Sequence, residues 1–291
     1  MPFIKQRYFV HTPIRAQIFL MRYLHYTPKT AQRLIAKSRF YENDEYITKP
    51  SQIISGDITI VVFKGVTRGL KPIYENKYFA LFEKPNDLLV HPKNIFTEYS
   101  LLDEIKYYLG KEACLAHRID FATSGLVLVS KAKKYEQEIK ELFEERTIQK
   151  TYEVVVEGEI KEKITINKPL KKNSDINSKE KVIVHKYGRV AITDISPIKY
   201  DKLSNTTKIY AKPKTGRMHQ IRVHLNSIGH RIVGDPLYGV SFEISDKYLD
   251  NKLTNEDKIK YLGANRLMLH AKQLDFDFKD TTFSLKSEES L

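Results

Sequence analysis

Residues 117–130 read His-Arg-Ile-Asp-Phe-Ala-Thr-Ser-Gly-Leu-Val-Leu-Val-Ser. The run that starts at Gly125 is too short and too rich in β-branched residues for a helix, so it reads as a buried strand that the rest of the chain must cover. Just before it, Asp120 stands between Arg118 and a Thr123-Ser124-Gly125 turn. Two readings of that carboxylate fit. It can be a structural Asp that caps the turn through the N–H groups of Thr123 and Ser124, or a nucleophile or general base set by a nearby Arg. Spacing leaves the two level.

The chain has 291 residues, 41% of them hydrophobic, enough for one large core or a large and a small one. No apolar run approaches the roughly 20 residues that span a bilayer, and residues 1–10 are mixed and cationic, unlike a signal peptide. The single cysteine, Cys114, excludes an internal disulfide or a Cys-rich zinc site. The default expectation is a cytoplasmic monomer without membrane contact. Lys and Arg number 49 against 36 acids, a net charge of +13. The surplus is unevenly spread. No acid precedes Glu42, and none occurs over residues 202–234, which hold Lys212, Lys214, Arg217, Arg222 and Arg231. Two separated basic blocks point to a polyanionic partner, RNA or DNA.

Residues 1–68 read as a small unit. It holds short helices over 16–24 and 30–37, with Thr30 as N-cap of the second, and a strand over 58–63 entered through a Gly56-Asp57 turn. Residues 64–71 read as a linker. The larger unit, 69–291, mixes strands at 78–82, 125–130, 151–157, 181–185, 191–196 and 207–212 with helices at 100–109, 133–146 and 219–228. Residues 241–261 read as a polar surface insertion, 266–271 as the last core strand, and the tail beyond Lys279 as frayed. The class is α+β with a mixed, largely antiparallel sheet core and flanking helices, preceded by a small α+β unit.

The Asp in His117-Arg118-Ile119-Asp120 lacks the magnesium-binding Asn of a kinase loop, because the position five residues on is Gly125, and no glycine-rich phosphate loop precedes it. A P-loop is also absent. In Thr215-Gly216-Arg217-Met218-His219-Gln220-Ile221-Arg222-Val223-His224, the two histidines are five apart and do not share a helix face, which argues against a zinc pair. Arg222 on a partly buried helix needs an anion, and Asp120 is the natural candidate. Lys150-Thr151-Tyr152, the tight turn Gly234-Asp235-Pro236-Leu237-Tyr238-Gly239 and Arg266-Leu267-Met268-Leu269-His270-Ala271 follow. Taken alone, His270 reads as structural.

In their order, these motifs resemble the RluA-type RNA pseudouridine synthases over residues 78–271, with Lys84-Pro85 and His91-Pro92 matching that family's entry strand and loop. Residues 1–68 look like the small RNA-binding domain named after ribosomal protein S-four, through Arg33-Leu34-Ile35, Lys49-Pro50-Ser51 and Gly56-Asp57; residues 1–15 fit it poorly and suggest an arm or an added strand. The resemblance implies the pseudouridine synthase fold and isomerisation of uridine in ribosomal RNA, more so of the large subunit, or transfer RNA, with no metal or other cofactor. It carries over Asp120 as the essential carboxylate acting on a flipped-out uridine. Arg222 would be its ion-pair partner, Tyr152 the active-site ring and Arg118 the residue that enters the RNA as the base flips. Leu269 would form the apolar wall under the base, with Arg217 and His219 facing RNA or supporting the site. A non-catalytic RNA-binding factor on the same scaffold is the other reading. A glycosidase would need a second carboxylate beside Arg222, which residues 202–234 do not offer.

Overall fold

A computed structural model describes residues 2–175 and 178–291. The chain forms two compact units, Met1–Thr67 with Pro92–Tyr99, and Arg68–His91 with Ser100–Leu291. The smaller unit runs β1 (Phe3–Arg15), α1 (Ala16–Arg22), α2 (Pro28–Ala36), β2 (Phe40–Glu42), β3 (Glu45–Tyr46) and β4 (Ile53–Phe63). Its sheet has the order β1-β4-β2-β3. Phe19, Leu20, Ala31 and Ile35 from the two helices pack on Phe40, Ile54, Ile58 and Ile60 of the sheet.

Residues 3–15 are a full strand, as the added-strand reading has it, and two local expectations are corrected. The cap of α2 is Thr27, whose side chain accepts the Thr30 N–H at 3.2 Å, with Pro28 in the first turn where its missing N–H costs nothing. Gly56-Asp57 lies inside β4, opposite Val10 and Phe9, beside a register shift between Val10 and Ile14. Gly56, at φ +75°, supplies an irregular strand position and not a turn.

The larger unit continues with β5 (Pro72–Glu75), β6 (Phe79–Lys84), α3 (Leu101–Leu109), β7 (Cys114–Leu115), β8 (Ser124–Ser130), α4 (Lys133–Glu144) and β9 (Gln149–Glu157). Then come β10 (Ile164–Asn167), β11 (Leu170–Lys172), β12 (Val182–Val184), β13 (Ile192–Asp201), β14 (Thr206–Pro213) and α5 (Gln220–Asn226). It closes with α6 (Phe242–Leu249), α7 (Asn255–Leu262), β15 (Leu269–Phe278) and β16 (Thr281–Lys286). The main sheet has the order β10-β13-β14-β9-β15-β8-β6-β5, with β16 paired to β15 and β7 to β8; β11 and β12 form a separate ribbon. Among these pairings only β15 with β8 is parallel, so the sheet is mixed and mostly antiparallel, as expected. The polar surface insertion at 241–261 holds α6 and most of α7. The tail is not frayed: β16 pairs with β15, and Ser287 is buried.

All seven residues of β8 are buried. Alternation along the strand sends Leu126 and Leu128 to a cluster with Leu81 and Ile139 of α4, and Val127 and Val129 to one with Phe82, Leu101 and Ile105 of α3. A strand covered by a helix on each face has no use for polar residues, which explains its continuous apolar run. At its start, Gly125 pairs with Ala271, and a Cβ there would lie 2.4 Å from the Ala271 carbonyl oxygen. Glycine at φ +107° is what lets β8 meet β15 at the mouth of the Asp120 loop.

His117 anchors the other end of that loop. Its Nε2 accepts the Leu128 N–H at 2.9 Å and its ring stacks on Phe143 at 4.2 Å. Burial, and then Lys150, lower its pKa from 6.5 to about 3. The unfolded chain therefore binds this proton first. The contribution is complete above pH 6.5 and is lost as pH falls toward about 3. Urea unfolding at stepped pH should show less acid destabilisation in His117→Asn than in the parent chain.

Candidate active site

The turn holding Asp120 is closed by main chain: the Thr123 N–H donates to the Asp120 carbonyl at 3.1 Å. The capping role open to the carboxylate thus falls to its backbone. The loop is held from below by Lys84, whose ammonium donates to the carbonyls of Pro85 (2.7 Å), Leu88 (2.9 Å) and Phe121 (3.0 Å). Three acceptors match its three N–H bonds. Burial lowers the Lys84 pKa to about 7, with Asp87 and Asp120 pulling the other way. Lys84 is fully buried, so it supports the site and does not face RNA.

The Asp120 carboxylate is 29% exposed, and two groups approach its Oδ2: Arg222 Nη1 at 3.7 Å and His219 Nε2 at 3.7 Å. Both are beyond hydrogen-bond length. The close partner of Arg222 is another acid. Its Nε and Nη2 each donate at 2.7 Å to the two oxygens of Asp235, in a side-by-side pair that is 3% and 1% exposed. Asp235 Oδ1 also accepts the N–H groups of Leu237 (2.9 Å) and Tyr238 (3.1 Å). Burial works against the Arg222 charge, and Asp235, then Asp120, more than restore it, so its pKa is raised. The expectation that Asp120 is the principal anion for Arg222 is therefore corrected: Arg222 is engaged mainly by Asp235 and reaches Asp120 only through space. In the sequence Asp235 reads as part of a turn. It is the first acid after the acid-free residues 202–234, and that position was the available signal. Gly234 enables the pair, because a Cβ there would lie 1.8 Å from the Arg266 carbonyl oxygen.

His219 precedes α5 with a left-handed backbone, φ 54°. Gln220 fixes that bend. Its Oε1 accepts from Thr215 Oγ1 (2.7 Å) and the Arg217 N–H (3.0 Å), and its Nε2 donates to the Ile192 carbonyl (2.9 Å) and Thr193 Oγ1 (3.0 Å). The His219 Nδ1 lies 2.8 Å from the Tyr238 hydroxyl. His224 is used elsewhere, between Thr193 Oγ1 and the Lys168 carbonyl, in keeping with the argument against a zinc pair. Tyr152 packs on the cluster that includes Ala122 and Leu269. Burial, and then the Asp120 charge, raise its pKa, so it is a neutral phenol beside a carboxylate.

Three comparisons bear on what such a site belongs to. Residues 78–227 match the model of the family described as RNA pseudouridylate synthase. The chain belongs to that family. An uncharacterized RNA pseudouridine synthase of Helicobacter pylori J99 is 36% identical over 99% of this chain and 96% of its own length. The ribosomal large subunit pseudouridine synthase D of Pseudomonas aeruginosa is 29% identical over 76% of this chain and 68% of its own. The structure of human RNA pseudouridylate synthase domain containing 1 matches with a TM-score of 0.61 at 23% identity, over 78% of this chain and 86% of that one, which speaks to the fold alone.

In this synthase, an isomerase acting on RNA, the structure brings Asp120, Arg222 and His219 together, with Tyr152 close enough to feel the Asp120 charge. Leu269 is 3% exposed in β15, in the cluster on which Tyr152 packs. Arg118 is exposed, two residues before Asp120. Arg217 donates its Nε–H to the Val190 carbonyl at 3.1 Å. His270 is held between Ser124 Oγ and Ser287 Oγ, each at 2.9 Å. It could join Glu83 and Glu289 around a metal ion, their donor atoms lying within 4.8 Å of one another, only by giving up one of those bonds. No helix among the described residues is long and apolar enough to cross a membrane.

The ion pair makes a measurable difference to stability. Asp235→Ala leaves a buried guanidinium without its anion and should cost about 3–5 kcal/mol in urea unfolding. Lys161→Ala, which removes an exposed pair with Glu159, should cost less than about 1 kcal/mol.

Proposed function

We propose that this chain is an RluA-type synthase that isomerises uridine to pseudouridine in large-subunit ribosomal RNA, with Asp120 as the essential carboxylate. The observation that carries the reading is the state of Asp120. It is partly open, set on a clamped loop beside Tyr152, and its nearest cation, Arg222, stands at 3.7 Å. A carboxylate that is not consumed by hydrogen bonds is available for attack. The overall change breaks the bond from ribose C1′ to uracil N1 and forms one from C1′ to C5; C5 gives up a proton and N1 gains one. Asp120 can attack C1′ or take the 2′ proton, and a carboxylate serves either route. Neither route requires a metal or cofactor.

Tyr152 offers its ring to the detached uracil, and as a protonated phenol it can relay the C5 proton through its O–H. Leu269 supplies the apolar wall. The exposed Arg118 fills the gap left when the uridine leaves the stack, and Arg217 and the cations around it take up backbone phosphates. The smaller unit is read as an S-four-like RNA-binding domain. Its α2 carries Lys29 in a first turn without an acid and Arg33 in its last turn, so it offers positive charge to phosphate at both ends. The large-subunit preference draws on the Pseudomonas relative's name and on that added unit. The enzyme is taken to act as a cytoplasmic monomer.

Mapping pseudouridine in total RNA from cells with and without the gene names the target. On that RNA, Asp120→Asn should slow conversion by at least about 10²–10⁴-fold, the range for a positioned acid–base group, while RNA affinity holds; normal turnover would remove Asp120 from the chemistry. Replacing Lys29 and Arg33 together by Ala should weaken RNA binding and make it less sensitive to salt. The slope of log affinity against log salt should fall by about 0.7 for each single-strand phosphate that is no longer neutralised. An unchanged slope would exclude α2 from the interface.

A further inference from the structure

Tyr238 ties three parts of the site together. It is 1% exposed. Its ring lies under the Arg222 guanidinium, 5.0 Å to the centroid, and edge-on to the His219 ring. Its hydroxyl oxygen accepts the Val182 N–H at 3.2 Å. A peptide N–H can only donate, so the hydroxyl proton must point elsewhere, and a buried hydroxyl that finds no acceptor is costly. The acceptor in reach among the described residues is His219 Nδ1, at 2.8 Å. The direction of that bond is thereby set: Tyr238 donates and Nδ1 accepts. A neutral imidazole that accepts at Nδ1 carries its own proton on Nε2, the atom that faces Asp120 Oδ2 at 3.7 Å.

We propose that His219 is a positioning residue of the isomerisation, locked by the Val182 amide and Tyr238 in the Nε2–H tautomer so that it presents a neutral hydrogen-bond donor to Asp120. Its catalytic consequence rests on the role given to Asp120 above; the tautomer itself does not. Neutrality has a purpose. Arg222 already stands 3.7 Å from the same carboxylate oxygen, and a second full cation there would further weaken Asp120 as a nucleophile or base. A neutral N–H orients the carboxylate without that penalty. Burial keeps His219 below its ordinary pKa, with Arg222 and Lys181 acting in the same direction and Asp120 and Asp235 against it. The separation of 3.7 Å is longer than a hydrogen bond, and a small movement of the partly exposed Asp120 side chain closes it. The left-handed backbone of His219, φ 54° and ψ 20°, fits this role. A non-glycine residue is strained there, and the four hydrogen bonds of Gln220 hold the bend that brings the ring between Tyr238 and Asp120.

The test uses the full chain. In ¹⁵N spectra at pH 7, the His219 ring of the parent protein should show a protonated Nε2 and an acceptor Nδ1, and Tyr238→Phe should turn this into a mixture of tautomers. On total RNA from cells lacking the gene, His219→Asn, whose amide reaches only the Nδ1 position, should lower single-turnover conversion about tenfold, the worth of one hydrogen bond to a charged group. His219→Gln, whose amide reaches the Nε2 position, should recover most of that loss. An Nδ1–H or doubly protonated ring in the parent protein overturns the proposal, as does conversion by the Gln variant no faster than by the Asn variant. Should the parent chain convert no uridine, the functional reading fails on its own, and the ring spectrum still decides the tautomer.

Discussion

The Arg222–Asp235 pair is the constraint on which the site depends. Two charges almost wholly removed from water are tolerable only when each satisfies the other and the remaining lone pairs find donors. Here both carboxylate oxygens take guanidinium N–H bonds, and one of them also holds the Leu237 and Tyr238 amides. The result is a fixed cation whose charge is largely answered before Asp120 is considered. Asp120 sits in the positive potential of Arg222 at 3.7 Å, too far for a direct hydrogen bond. A direct two-pronged bond between Arg222 and Asp120 would have produced a more stable carboxylate and a poorer reagent.

The second requirement is that Asp120 stay where that potential is tuned. The loop has no regular structure of its own, so its rigidity is borrowed. Lys84 ties it to the chain after β6 through three carbonyls, His117 ties its start to β8, and Gly125 lets its end meet β15 without a clash. Each of these residues is chosen by backbone geometry, and none needs to touch RNA.

Much of this is legible in the sequence because it depends on local pattern. The apolar run of β8, the Ser100 start of α3 and the Ile139 face of α4 follow from periodicity and capping. So does the α+β class. The grouping of Asp120, Arg222 and Tyr152 follows from resemblance and not from spacing. What escapes is non-local. Asp235 and Tyr238 both look like turn residues until α5 is folded against the first and His219 is bent toward the second by its left-handed backbone. The polar residues 241–261 hide two short helices, since a helix with one narrow buried face shows a weak period. The tail looks frayed because β16 alternates polar and apolar residues beside a β15 that extends further than its apolar start suggests. Thr30 resembles a cap because it sits three residues after Thr27, which does the capping.

The position of β15 has a consequence for how the molecule comes to exist. This strand lies between β9 and β8 in the main sheet, yet it begins at Leu269. The four strands of the smaller unit are complete by Phe63. During vectorial synthesis the first sheet can close while most of the chain is still unmade. The second must wait, its two halves unjoined, until Leu269 and the residues after it emerge. The Ser124–His270 bond and the Gly125–Ala271 pairing that seat the Asp120 loop form only then. The sheet of the smaller unit can therefore form before the strand that fixes the Asp120 carboxylate in place has been made.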